Sequence, residues 1–310
     1  MKWRLKGLIQ KTLSVVPGGL LVNDRMQRSI GTFRRFDVES SAKLDDFLLM
    51  VQQLREHGIA IASATFFEIG SGWYPTLPIC LYLVGARKIL TVDLTRHMKL
   101  DLALRLVQKL KASVAALAAA TGANSDEIED RRDAMARAFG HGEDIGDASS
   151  GVIDYRAPAD AAHTDLGSET VDVVFSNSVL EHIPPIVLDK IFAESSRILR
   201  PGGVVFHSVN CGDHYAYTDG SVGQLNYLQF SGRQWELLWN NDLQYQNRLR
   251  AKDFLDLARR HRFDIVRDTT KVLDEKLAEL RRLPRVADDF SGYTPEELCV
   301  TTVDFIGKKR

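Results

Sequence analysis

Two short stretches of this chain carry residue types that can do chemistry together. Phe66-Phe67-Glu68-Ile69-Gly70-Ser71-Gly72-Trp73 runs from an apolar segment into a glycine turn, and about twenty residues later Ile89-Leu90-Thr91-Val92-Asp93 ends a second apolar segment on a single carboxylate. Glycines without a Cβ let the main chain come close to a ligand. A lone acid after the second strand can accept hydrogen bonds from both hydroxyls of a ribose. The pair therefore points to a site for an adenosine-bearing ligand.

The elements that must position these residues follow from the apolar pattern. Strands are expected at 64–69, 88–92, 153–155, 171–176, 204–209, 263–266 and 300–306. Helices alternate with them at 78–85, 188–199, 235–239 and 252–260. Such alternation predicts an α/β fold: a doubly wound, mostly parallel, seven-stranded sheet with helices on both faces. Residues 1–60 read as an N-terminal helical extension, with Leu44, Phe47, Leu48, Val51 and Leu54 on one face and Gly58 as the stop. The remainder, 61–310, reads as one Rossmann-like domain. Within it, 100–150 exceeds what a crossover between the second and third strands requires and reads as a helical insertion. One long helix is expected from Leu100 to Leu117, then a second whose cap is Ser125. A cap-like segment is expected at about 213–250.

Bulk properties narrow the function. The chain has 310 residues, 45% of them hydrophobic, and a formal net charge of -1, which gives no global attraction to nucleic acid. Cys80, Cys211 and Cys299 are far apart and form no CxxC pair, which argues against a zinc knuckle and suits a reducing, cytoplasmic setting. No apolar run reaches the roughly 20 residues that span a bilayer. Lys2, Arg4, Lys6 and Lys11 alternate with Trp3, Leu5, Leu8 and Ile9. That pattern is compatible with a helix resting peripherally on a membrane, but a helix packed on the body is favoured. The oligomeric state is open.

Four pieces, in order, resemble class I S-adenosylmethionine-dependent methyltransferases. They are Glu68-Ile69-Gly70-Ser71-Gly72; Asp93; Asp160-Ala161 ahead of Val171-Asp172-Val173-Val174-Phe175-Ser176-Asn177; and Ser178-Val179-Leu180-Glu181-His182-Ile183 followed by Ile198-Leu199-Arg200-Pro201-Gly202-Gly203. The resemblance covers roughly residues 64–210. It departs from the family where a third glycine is common, since Trp73-Tyr74-Pro75 follows the turn here. The resemblance implies S-adenosyl-L-methionine as cofactor, with Gly70, Ser71 and Gly72 along its methionine and ribose portion and Glu68 toward its cationic end. It further implies Asp93 on the ribose, Asp160 and Ala161 at the adenine, and Asn177 near the transferred methyl. Methyl transfer is an in-line displacement that needs alignment more than a metal, and no metal site is expected.

The implied activity is methylation, with oxygen of a small-molecule or glycan-like acceptor favoured. The general base is sought among His214 and His182, with Asp213 orienting or sharing the work; His207 is expected inside the sheet. Aromatic and amide residues from Tyr215 to Arg250 suit a polyhydroxylated ligand and, equally, an ordinary helical cap. Two competing readings share parts of this pattern. A nicotinamide-dependent oxidoreductase shares Gly70, Gly72 and Asp93, and a non-catalytic adaptor could keep the cofactor pocket alone.

Overall fold

In the computed structural model, residues 2–16, 33–241 and 243–310 are described. Residues 17–32, part of the expected N-terminal extension, lie outside them. Seven strands form one sheet: β1 (Thr65–Ile69), β2 (Lys88–Val92), β3 (Ile153–Arg156), β4 (Val171–Asn177), β5 (Leu199–Asn210), β6 (Phe263–Asp268) and β7 (Thr302–Lys309). Their order is β3-β2-β1-β4-β5-β7-β6. The pairs from β3 to β5 are parallel, whereas β7 runs antiparallel to both β5 and β6. All seven expected strands are present. β5 begins five residues earlier than expected, because Leu199 already pairs with Val171 ahead of the Pro201-Gly202-Gly203 turn.

Alternation along the central strands sorts their side chains onto two faces. Phe66, Val173, Phe175 and Phe206 meet Phe47, Met50 and Val51 in one core, whereas Phe67, Val174 and Val205 meet Leu188, Ile191 and Phe254 in the other. The helices concerned are α1 (Trp3–Val15), α2 (Phe33–Glu56), α3 (Thr76–Leu83), α4 (Leu100–Lys109), α5 (Val114–Thr121), α6 (Ser125–Gly140), α7 (Ile145–Ala148), α8 (Pro185–Ile198), α9 (Gly232–Leu238) and α10 (Ala251–Arg260). The first core takes α2 and the 100–150 helices; the second takes α8 and α10.

The 100–150 segment is helical as expected, but its first helix is interrupted. A 3-10 turn at Leu110–Ser113 separates α4 from α5. Asn124, not Ser125, caps α6: its side chain accepts from the Asp126 amide at 2.8 Å while Ser125 already occupies the first helical position. Leu106, Val107, Leu117, Ile128 and Met135 are all buried in the first core. The segment thus thickens that face of the sheet.

A third cluster joins distant parts of the chain over the C-terminal edge of the sheet. Trp3 of α1 packs against Tyr215, Phe230 and Trp239 with ring centroids 5.4, 5.9 and 4.5 Å apart, and its amide donates to Asp219 Oδ2 at 2.8 Å. α1 therefore rests on the body of the protein, with Leu5 and Leu8 facing outward. The cluster is clamped by fully buried Arg250, whose guanidinium donates to the carbonyls of Cys211 (2.6 Å), Leu298 (3.0 Å) and Val300 and to the Tyr227 hydroxyl. Replacing Arg250 by Leu takes this buried donor away from the Leu298 and Val300 carbonyls and leaves the Cys211 carbonyl with the Tyr227 hydroxyl. The expected loss is about 3 kcal/mol of unfolding free energy, read from the midpoint and slope of urea unfolding.

Candidate active site

The glycine turn sits where β1 leaves the sheet. Gly70 has φ +80° and Gly72 φ +71°, conformations that glycine alone adopts freely. A Cβ on Gly70 would lie 2.7 Å from the Val179 side chain, so this glycine also admits the chain leaving β4. At Gly72 a Cβ would meet nothing within 4 Å, leaving the main chain approachable from the crevice. The turn is pinned from beneath. Glu68 is buried, and its Oε2 accepts from the Ser71 and Thr91 hydroxyls, each at 2.5 Å. Burial raises its carboxyl to about 7, against the pull of those two hydroxyls and of Lys43.

Asp93 faces this turn. Its Oδ1 accepts from the Gly72 amide at 3.3 Å and its Oδ2 from the Tyr155 hydroxyl at 2.9 Å. Burial raises its pKa. The next loop is tied to the same place, since the Ala159 amide donates to the Asp93 carbonyl at 3.0 Å. Ala161 is buried there. The Asp160 carboxylate accepts from the Ala162 amide at 2.8 Å and lies 3.1 Å from His163 Nδ1, and the amide bond holds its pKa below the usual value. The eight positions from Glu68 to Asn177 singled out by sequence therefore lie at the carboxyl ends of β1 and β4 or in the segments that follow β1, β2 and β3.

Two groups at this edge were not foreseen. α2 brings Lys43 and Asp46 to the turn. Burial lowers the Lys43 ammonium pKa, while the charges of Glu68, Glu39, Asp46 and Asp93 oppose that shift. Asp46 Oδ2 accepts from Asn177 Nδ2 at 2.7 Å. The residues standing where a third glycine was missing explain how α2 is held. Tyr74 packs on Phe36 at 5.0 Å, its hydroxyl donates to Glu39 at 3.0 Å, and Lys43 Nζ lies 5.0 Å from its ring centre. The sequence signal was the aromatic pair itself, which a bare turn does not need.

The acceptor-side candidates separate. His182 and His214 meet with ring centroids 4.9 Å apart. His182 Nδ1 donates to the Tyr245 carbonyl at 2.7 Å, which leaves the Nε2 lone pair free of that proton. Desolvation lowers the His182 pKa and takes His214 down to about 3. Asp213 does not join them: its two carboxylate oxygens accept from the Tyr215 amide and from Asn226 Nδ2, both at 2.8 Å. It caps a short 3-10 turn instead of orienting a histidine. His207 lies inside the sheet, 2.8 Å from Ser176 Oγ.

Most of the aromatic and amide groups after Tyr215 are spent internally. Tyr227 and Trp235 are buried in the third cluster, and Asn240, Gln246 and Asn247 bond to main-chain groups. They build the cap and leave little of the polar face that a sugar would need.

The strand order separates this sheet from the nicotinamide-binding arrangement, in which the sixth strand follows the fifth in parallel order; here antiparallel β7 is inserted between β5 and β6. A family model described as a methyltransferase domain matches residues 111–207. Residues 111–207 are thus similar to a methyltransferase domain. The match begins beyond Asp93, so the roles of the glycine turn rest on geometry. No curated protein matches the sequence. Among solved structures, the chain is similar to an S-adenosylmethionine-dependent methyltransferase from Mesorhizobium loti, at 14% identity over 83% of this chain and 96% of that one, with a TM-score of 0.43. It is also similar to geranyl diphosphate C-methyltransferase from Streptomyces coelicolor A3(2), at 13% identity over 84% and 78%, with a TM-score of 0.44.

The buried Glu68 makes stability depend on pH. The Glu68 carboxyl is raised to about 7 from an ordinary 4.5, so between those values the folded state holds a proton that the unfolded chain releases. Stability from this group is full below pH 4.5 and falls as pH rises to about 7. Glu68→Gln removes the effect. Relative to the parent, the ligand-free variant should gain stability with rising pH across that window, by on the order of 3 kcal/mol at its end, as measured by denaturant unfolding at pH 4.5 and pH 7.5.

Proposed function

We propose that the protein transfers the methyl group of S-adenosylmethionine to an oxygen of a small-molecule acceptor held between the glycine turn and the His182–His214 pair. The observation that supports this most is the convergence on one edge of Gly72, Asp93 and Glu68 with two uncharged imidazoles from the segments leaving β4 and β5. The buried acids and open Gly72 main chain suit a ligand that combines a ribose with a cationic centre. When bound, the cofactor supplies an electrophilic methyl on a sulfonium. This chain's own residues then bind and orient.

In this reading Asp93 takes the ribose hydroxyls, exchanging part of its bond to Gly72. Ala161 leaves room for the adenine ring, and Asp160 borders it. Glu68 lies under the cationic end, and Lys43 meets the methionine carboxylate. Asn177, braced by Asp46, borders the methyl position. His182 Nε2, the lone pair opposite the Tyr245 bond, accepts from the acceptor hydroxyl. His214, at about 3, is too weak a base to hold that proton itself. A glycan-like acceptor draws little support from the cap, because Tyr227 and Trp235 face inward.

Two measurements test this reading. Calorimetry should show S-adenosylhomocysteine binding to the parent protein and at least tenfold weaker binding to Asp93→Ala; an absence of binding to the parent would remove the proposal. Lys43→Met should weaken S-adenosylhomocysteine by about tenfold, the worth of one charge-assisted contact, yet leave adenosine unaffected because adenosine has no carboxylate. Equal losses for both ligands would sink the Lys43 assignment.

A further inference from the structure

Glu181, the residue before His182, raises a problem of its own. It is 1% exposed, and among the described residues neither carboxylate oxygen has a well-aligned hydrogen-bond partner; burial pushes its carboxyl up to about 8, against the pull of the main-chain amides of Glu181 itself and Asn210. His214 Nε2 is likewise buried without a partner. Polar atoms left this way cost free energy unless something else satisfies them. The three unsatisfied or outward-facing groups are not scattered. One donor atom each from Glu181, His182 and His214 falls within 4.8 Å of the others.

We propose that Glu181, His182 and His214 form a binding site for a divalent transition cation of the zinc or manganese class. The inference rests on the acceptor placement above and deepens it, since the ion would lie where the acceptor oxygen binds. One carboxylate and two neutral imidazoles form a donor set of intermediate softness, better matched to zinc or manganese than to magnesium or calcium. The Tyr245 carbonyl fixes the His182 tautomer from behind, as a carbonyl behind a ligating imidazole commonly does. Three protein ligands leave coordination positions open for an acceptor.

The ion changes the role of the histidines. Both hold the metal, and the acceptor hydroxyl meets the metal instead of His182. A metal-bound hydroxyl loses its proton to water far more readily than a free one; the resulting alkoxide oxygen forms the new bond to the methyl carbon as the carbon–sulfur bond breaks, its electron pair staying on sulfur. This removes the need for a base that His214 is too weak to be. Lys6 of α1 lies close enough to His214 for its charge to act on it, and that repulsion works against the ion.

The full chain, stripped with chelator, is titrated separately with Zn2+ and Mn2+ by calorimetry, and Mn2+ occupancy is followed by electron paramagnetic resonance. One ion per chain is expected. Glu181→Gln, His182→Ala and His214→Ala should each weaken it at least tenfold, and His141→Ala, on an exposed helix end, should leave it unchanged. S-adenosylhomocysteine binding by each variant shows that the fold survives, and half-exposed His182 supplies a variant that does not open the core. The proposal is overturned if the parent takes up no stoichiometric ion, or if the three variants bind it as the parent does. Ion uptake without S-adenosylhomocysteine binding would instead uphold the metal site and remove the methyltransferase reading of the crevice.

Discussion

The active edge depends on one buried carboxyl. Glu68 ends β1, and the Ser71 and Thr91 hydroxyls both turn inward to it. Ser71 belongs to the glycine turn and Thr91 to β2, so a single acceptor locks the turn to the neighbouring strand two residues before Asp93. The glycines can adopt positive φ at little cost, but that freedom would leave the turn loosely defined. Glu68 removes the looseness. Its two partners are hydroxyls and not cations, which is why burial still dominates and the carboxyl sits near neutrality.

The second constraint comes from far away in the chain. α2 lies across the first core through Phe47, Met50 and Val51, and that packing delivers Lys43 and Asp46 to the crevice. A helix held by apolar contacts on one face can place two polar groups on its adjoining face with little conformational entropy left to lose. Tyr74 acts as the bridge between the helix and the turn. The aromatic residues after Gly72 therefore replace the flexibility of another glycine with a fixed contact.

What could be read from the sequence was local. Continuous apolar runs such as Val171–Ser176 have few ways to be buried except as central strands, and a glycine pair at a strand end constrains the turn that follows. The placement of Asp93 beside Gly72 followed from the same reasoning. What depended on distant neighbours was not legible. Asp213 looked like a partner for His214 because they are adjacent, yet its oxygens are taken by Tyr215 and Asn226 across the cap. Trp235 and Gln246 looked available for a ligand because aromatic and amide groups have the same composition whether they face in or out. Lys43 carried no local signal at all, since one lysine on an amphipathic helix is ordinarily solvated.

The acceptor side shows why orphaned polar groups are informative. Two imidazoles in contact can serve as base or as ligand, and the distinction lies in what faces them. Desolvation that keeps a histidine neutral also weakens it as a proton acceptor, so deeper burial argues against the first role while leaving the second intact. Glu181 points the same way. A carboxyl buried with no side-chain partner among the described residues is expensive as a structural element: a Met of similar size could fill the space without the burden of a group that ionises in water. Its presence beside two lone-pair donors is best accounted for by a positive charge that all three can share.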